Sequence, residues 1–243
     1  MSKSHEFSNV ICDENFFYHV SMPRTATNYM VSLLEVFFKR PRFDIQNATP
    51  TSYLSDKEKL NDPIFYNTHE SFWKPDPYGC RFDFSDNSHV IAPVDKFRKV
   101  VVQIRNPIDV LYSLNQLGIG ATINNYNDFI NKWCFDFNPH QRIYDNRFIF
   151  VYEEFLFNQE QTISNLLEFL NMTFTNEEVS SVLQYVGDRK KYFSNVNSNQ
   201  KHLKNTHTLS DSYRIGRDNY RELNKGICKN ISVKTLRDFY DKS

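Results

Sequence analysis

The sequence predicts an α/β fold in which a central, mostly parallel sheet is flanked by helices. Two observations predict it: short β-rich runs alternate with segments of helical period, and polar turns join the runs to the helices that follow. Strands separated by helices imply right-handed crossovers, and those make neighbouring strands parallel. The first unit is FFYHVS (Phe16 to Ser21), a buried strand, followed by a helix that sets Met30, Leu33, Leu34, Phe37 and Phe38 on one face. IFYNT (Ile64 to Thr68), KVVVQI (Lys99 to Ile104) and RFIFVY (Arg147 to Tyr152) are the second, third and fourth strands. After the third, Asn106 is placed to cap a helix with Pro107 at its first position and Asp109 in its first turn, running to about Leu117. Beyond the fourth, Ile163, Leu166, Leu167 and Leu170 mark an amphipathic helix, and Thr175 with Glu178 forms a capping box for another. Pro75 to Pro93 is rich in Pro, Asp, Asn and Ser, has no clean period, and reads as a loop or lid; Lys190 to Asp211 reads the same way. With no internal repeat and no linker, residues 1–243 are expected to form a single domain.

Composition narrows the function classes. A chain of 243 residues can bury one sizeable core, and 22 Phe and 14 Tyr are too many for a disordered chain. Lys plus Arg equals Asp plus Glu at 29 each, so no global basic field recruits nucleic acid or an acidic membrane, and any anion site must be local. Cys12, Cys80, Cys134 and Cys228 are far apart and no His clusters at metal-ligand spacing, so reduced thiols and no metal are expected. The N-terminal MSKSHEFSNVICDENFFYHV has no basic start before a long apolar run, and no window approaches ~18 continuous apolar residues. The expectation is a cytoplasmic protein.

Two segments can carry chemistry. SMPRTATNYM (Ser21 to Met30) joins the first strand to its helix, where backbone N–H groups and the helix dipole favour an anion. Arg24 adds a permanent charge, and Thr25, Thr27 and Asn28 offer donors; a polar turn capped by Thr is the plain alternative. VVVQIRNPIDVLYSL (Val100 to Leu114) repeats the logic, with Arg105 leaving the strand beside a helix start and Ser113 about two turns on. Arg105 paired to an Asp and Ser113 facing solvent is the alternative there. Together, two anion cradles at strand C-termini suit a ligand with phosphates at both ends.

PRTATNYM resembles the phosphosulfate-binding loop of the sulfotransferase superfamily, P-K-[ST]-G-T-[ST]-W-L, and RNPIDVLYSL resembles its 3′-phosphate motif, R-N-P-x-D-x-x-x-S. VYEEFLFNQEQTISNLLEFL is similar to the Y-E-D segment and following helix, and YRIGRDNYRELN to the R-K-G-x-x-G-D-W loop. The resemblance implies a P-loop-like three-layer fold and a co-substrate, 3′-phosphoadenosine 5′-phosphosulfate (PAPS), that leaves as adenosine 3′,5′-bisphosphate (PAP). It assigns Arg24, Thr25, Ala26, Thr27, Asn28 and Tyr29 to the phosphosulfate, and Arg105 and Ser113 to the 3′-phosphate. It further assigns Arg214, Ile215 and Gly216 to the nucleotide, with Tyr152 near adenine and Phe193 stacked on it. NTHESF (Asn67 to Phe72) stands where cytosolic members carry K-T-H, which makes His69 the catalytic base and Arg24 the group that stabilises the leaving phosphate. The acceptor implied is a small molecule bearing a hydroxyl or amine; nothing indicates the oligomeric state. Arg24, Ala26, Asn28, Tyr29 and Asn67 depart from the common Lys, Gly, hydroxyl residue, Trp and Lys.

Two rival readings remain at this level. A P-loop kinase shares the topology, but the chain has no G-x-x-x-x-G-K-[ST] and only six glycines. A nucleotide-binding relative without chemistry is the other, motivated by Arg24 and Asn67.

Overall fold

The computed structural model describes residues 17–38, 42–44, 49–51, 65–69, 80–83, 89–92, 99–144, 146–187 and 211–242, with the backbone alone for the short strands between 42 and 92. The chain forms β1 (Phe17–Ser21), α1 (Thr27–Phe38), β2 (Arg42–Asp44), β3 (Thr49–Thr51), β4 (Phe65–His69), β5 (Cys80–Asp83) and β6 (His89–Ala92). It continues with β7 (Val100–Ile104), α2 (Pro107–Asn115), α3 (Ile123–Trp133), β8 (Ile143–Tyr144), β9 (Arg147–Val151), α4 (Tyr152–Phe157), α5 (Gln159–Phe169) and α6 (Asn176–Gly187). Last come α7 (Asp211–Leu223), a 3₁₀ turn (Lys225–Asn230) and α8 (Lys234–Asp241).

FYHVS and VVVQI are buried along their whole length, as continuous apolar strands in the middle of a parallel sheet should be. The sheet order is β3-β2-β4-β1-β7-β9-β8. β2, β4, β1, β7 and β9 run parallel, and β3 and β8 close the edges antiparallel. Successive side chains leave a strand on opposite faces, and the core divides accordingly. Phe17, Val101, Phe148 and Phe150 meet Met30, Leu33, Leu34, Ile163 and Leu166 of α1 and α5 on one face. Tyr18, Val20, Val100, Val102 and Ile149 meet Val110, Leu114, Ile130, Ile231 and Leu236 on the other. Helices therefore cover both faces, and each fully buried Val, Leu or Phe contributes roughly 1.5–3 kcal/mol. Cys134 and Cys228 are free, buried thiols, and burial pushes the pKa of both upward.

Three segments differ from the sequence reading. Pro75 to Pro93 holds a β-hairpin, β5 against β6, in a separate two-stranded sheet. Its four-residue strands flank Ser85, Asp86, Asn87 and Ser88, and the turn-forming composition hid them. Tyr152 starts α4 instead of ending the fourth strand. YRIGRDNYREL, similar to a loop motif, is the helix α7; it contains no proline and repeats Tyr213, Gly216, Tyr220 at helical spacing. The rest of Lys190 to Asp211, and Phe193 within it, lies outside the described residues.

β1 leads through α1 to β2 on one side of it, whereas β7 leads through α2 and α3 to β9 on the other. The direction of winding reverses between β1 and β7. In open parallel sheets the crevice beyond the strand C-termini at such a reversal is where ligands bind, and here the N-termini of α1 and α2 both open onto it.

Candidate active site

The turn after β1 is built on buried polar contacts. Arg24 and Ala26 both have left-handed backbones, with φ of 71° and 69°, and they flank Thr25. The Thr25 hydroxyl donates to Met22 O at 2.8 Å, and the Thr27 hydroxyl lies 2.8 Å from Ser21 Oγ and 3.3 Å from Thr25 Oγ1. Both threonine hydroxyls thus bond within the turn. Asn28 is exposed, and Tyr29, half-buried, packs on Phe155 with centroids 5.6 Å apart. From the adjacent strand, Gln103 Nε2 donates to Thr25 O at 2.6 Å, while Gln103 Oε1 lies 3.0 Å from His19 Nε2.

The turn after β7 is clamped from two sides. Asn106 Oδ1 accepts from Ile108 N at 2.9 Å, the N-cap expected from sequence. Asn106 N donates to Glu153 Oε1 at 2.9 Å, Tyr240 Oη to Glu153 Oε2 at 3.2 Å, and Tyr126 Oη to Arg105 O at 2.9 Å. Burial pushes the Glu153 carboxyl above the ordinary carboxylate range despite the Asn106 N–H.

Arg105 leaves this turn with its guanidinium 4.9 Å from the Tyr152 ring centroid. Its Nη2 donates to Asp109 Oδ2 at 2.9 Å and its Nη1 to Arg24 O at 3.4 Å, while Nε is buried with no hydrogen-bond partner among the described residues. Asp109, only 4% exposed, also accepts two bonds of 2.7 Å from Arg221 of α7. Burial alone would raise the Asp109 pKa; the hydrogen bonds and charges of Arg221 and Arg105 outweigh it and hold the carboxyl below its usual range.

One contact joins the two turns: Arg24 Nε donates to Ser113 Oγ at 2.7 Å. Ser113, 3% exposed, faces the crevice turn and not solvent. Arg105 does pair with an Asp, and it also reaches the backbone of Arg24. α7 is seated by aromatic packing: Tyr112 lies 5.1 Å from Tyr213 and 5.4 Å from Tyr220, and Gly216 sits where a Cβ would overlap Tyr112 Oη. Arg214 and Ile215 are exposed on the same helix. His69 ends β4 in register with Ser21, and Asn67 with His19, so the backbone of the expected base lies one strand from the arginine turn.

Sequence reasoning missed His19, Gln103, Glu153 and Arg221. A polar pair in the otherwise apolar runs FYHVS and VVVQI was the available signal for the first two. Arg221 meets Asp109 across 112 residues and had none. Among the described residues no group of three His, Cys, Asp or Glu could hold a metal, and no helix is long and apolar enough to cross a membrane.

No family model matches the chain, and no curated protein does. Solved structures do. The crystal structure of mouse sulfotransferase SULT7A1 complexed with PAP aligns over 95% of this chain and 90% of its own, with a TM-score of 0.51 at 13% identity. The chain has a sulfotransferase fold. Retinol dehydratase with androsterone and the inactive cofactor PAP, and retinol dehydratase with retinol and PAP, align at TM-scores of 0.48 and 0.45. Each is 15% identical, over 95% of this chain and 82% of the other. In this sulfotransferase fold the two turns whose motifs resemble the superfamily are the two that meet at the crevice.

Proposed function

We propose that the protein is a cytoplasmic, single-domain sulfotransferase that moves a sulfuryl group from PAPS to a hydroxyl or amine of a small molecule. The observation that carries this reading is the Arg24 to Ser113 hydrogen bond, which makes one crevice of two anion-binding turns. A doubly phosphorylated nucleotide is supported by Arg105, which keeps a buried donor, Nε, without a partner among the described residues, a donor that a bound phosphate would satisfy.

Bound PAPS supplies the sulfuryl group and a phosphate that departs from it. In-line transfer of such a group depends on positioning and on stabilising charge at the departing oxygen. Arg24, beside the N-terminus of α1, supplies that charge together with the backbone of Thr25, Ala26 and Thr27, with Asn28 and Tyr29 at the rim. Arg105 and Ser113 hold the 3′-phosphate, joined by Arg214, Ile215 and Gly216 of α7. Tyr152, under the Arg105 guanidinium, and Phe193 serve the adenine. His69 takes the acceptor proton, a role supported by its place at the end of β4 beside Ser21. The reading needs no metal, nucleic acid or membrane.

The test is thermal denaturation with PAP against ATP and magnesium, followed by turnover of His69→Ala. PAP alone should raise the Tm, and His69→Ala should lose transfer while keeping PAP affinity. A rise with ATP and magnesium alone would make the chain a kinase, and equal loss of both properties would make His69 structural.

A further inference from the structure

We propose that Gln103 and His19 are a positioning pair that locks Thr25 between its two left-handed neighbours and so fixes the direction in which Arg24 points. Backbone carbonyls only accept hydrogen bonds, so the bond to Thr25 O requires the Gln103 amide nitrogen on that side. Its oxygen then faces His19 Nε2, which must carry the ring proton. The chain His19 Nε2–H to Gln103 Oε1, and Gln103 Nε2–H to Thr25 O, is therefore directional. Reversing either amide or ring breaks it.

Its endpoint is, among the described residues, the one with a left-handed neighbour on each side. Arg24 and Ala26 hold φ values that residues bearing a β-carbon avoid, and such backbone persists only when the surroundings over-determine it. The Thr25 hydroxyl is fixed by Met22 O, and its carbonyl is fixed by Gln103. His19 and Gln103 are both fully buried in β1 and β7, the strands whose C-termini frame the crevice. A buried amide and imidazole in two apolar strands cost desolvation that apolar residues do not. The lock on Arg24 is what that cost maintains.

What Arg24 grips rests on the sulfotransferase reading; the lock rests on this chain's own side chains. The experiment compares wild type, Gln103→Leu and His19→Leu/Gln103→Leu by hydrogen exchange of the amides in 22–27 and by calorimetry with PAP. Both variants should exchange faster in that segment and bind PAP about tenfold more weakly. Gln103→Leu strands both His19 Nε2 and Thr25 O, whereas the double variant strands Thr25 O alone, so its Tm should recover part of what Gln103→Leu loses and it carries the test where Gln103→Leu folds poorly. Persisting weak binding in the partly restored protein marks positioning. Wild-type exchange and wild-type PAP affinity in the double variant overturn the lock. Faster exchange in variants of a wild type that does not bind PAP upholds the lock and overturns the functional reading.

Discussion

Arg24 Nε donates to Ser113 Oγ at 2.7 Å, a bond between side chains 89 residues apart that ties the turn after β1 to the second turn of α2. Ser113→Ala removes the acceptor that orients a guanidinium and a hydroxyl that could itself reach the ligand. Losing one charge-assisted hydrogen bond should weaken PAP binding about tenfold, measured by calorimetry. Unchanged affinity would show that the contact does not organise the site.

Ala26 occupies a left-handed turn with φ of 69°. That backbone costs an L-residue with a β-carbon about 1–2 kcal/mol, while the extra freedom glycine gives the unfolded chain returns about 0.4–1 kcal/mol. Ala26→Gly should therefore stabilise the fold by up to about 1 kcal/mol, read as a higher denaturation midpoint at constant slope. A lower midpoint would mean that the methyl group packs to advantage.

The pH dependence of Asp109 has a defined sign. Its folded pKa lies below the unfolded value, because Arg221 and Arg105 favour the carboxylate. The stability it contributes is present above about pH 4 and lost as pH falls through the depressed folded pKa. Asp109→Asn should cost about 2 kcal/mol at neutral pH, less than a fully buried pair because the Arg221 side chain is 44% exposed. Denaturation of both proteins from neutral to strongly acidic pH should show the gap closing on the acid side. A gap that is constant with pH contradicts the assignment.

Gly216 is where α7 comes closest to α2, with Tyr112 Cζ only 3.4 Å from a constructed Cβ and Oη nearer still. Tyr112 cannot easily yield, since Tyr213 and Tyr220 both pack on its ring. Gly216→Ala should destabilise by up to about 2 kcal/mol, the cost of overpacking less the helix gain of alanine. In a Tyr112→Phe background the same change should become neutral or stabilising, which a double-mutant cycle measures. Equal effects in both backgrounds would show that the hydroxyl is not the obstacle.

The central sheet and the turns after β1 and β7 were legible because their signals are local. Apolar runs such as VVVQI, the Asn106-Pro107 helix start and the Thr175 and Glu178 capping box each act within a few residues, and all three stand where expected. Arg24, Arg105 and Ser113 could be named singly, but only the strand order brings them together. What stayed hidden depends on long-range pairing. Nothing local joins Arg221 to Asp109 or Tyr240 to Glu153, and four-residue strands such as CRFD and HVIA are too short to show a period against a polar background.

In the proposed function one crevice grips phosphates at both ends of a single adenosine nucleotide. Calorimetry of PAP, adenosine 5′-monophosphate and adenosine 3′-monophosphate on wild type and Arg105→Ala tests it most directly. Wild type should bind PAP at least about tenfold more tightly than either monophosphate, and Arg105→Ala should bind PAP and the 5′-monophosphate alike. Equal affinity of wild type for all three nucleotides would show that the crevice does not hold both phosphates.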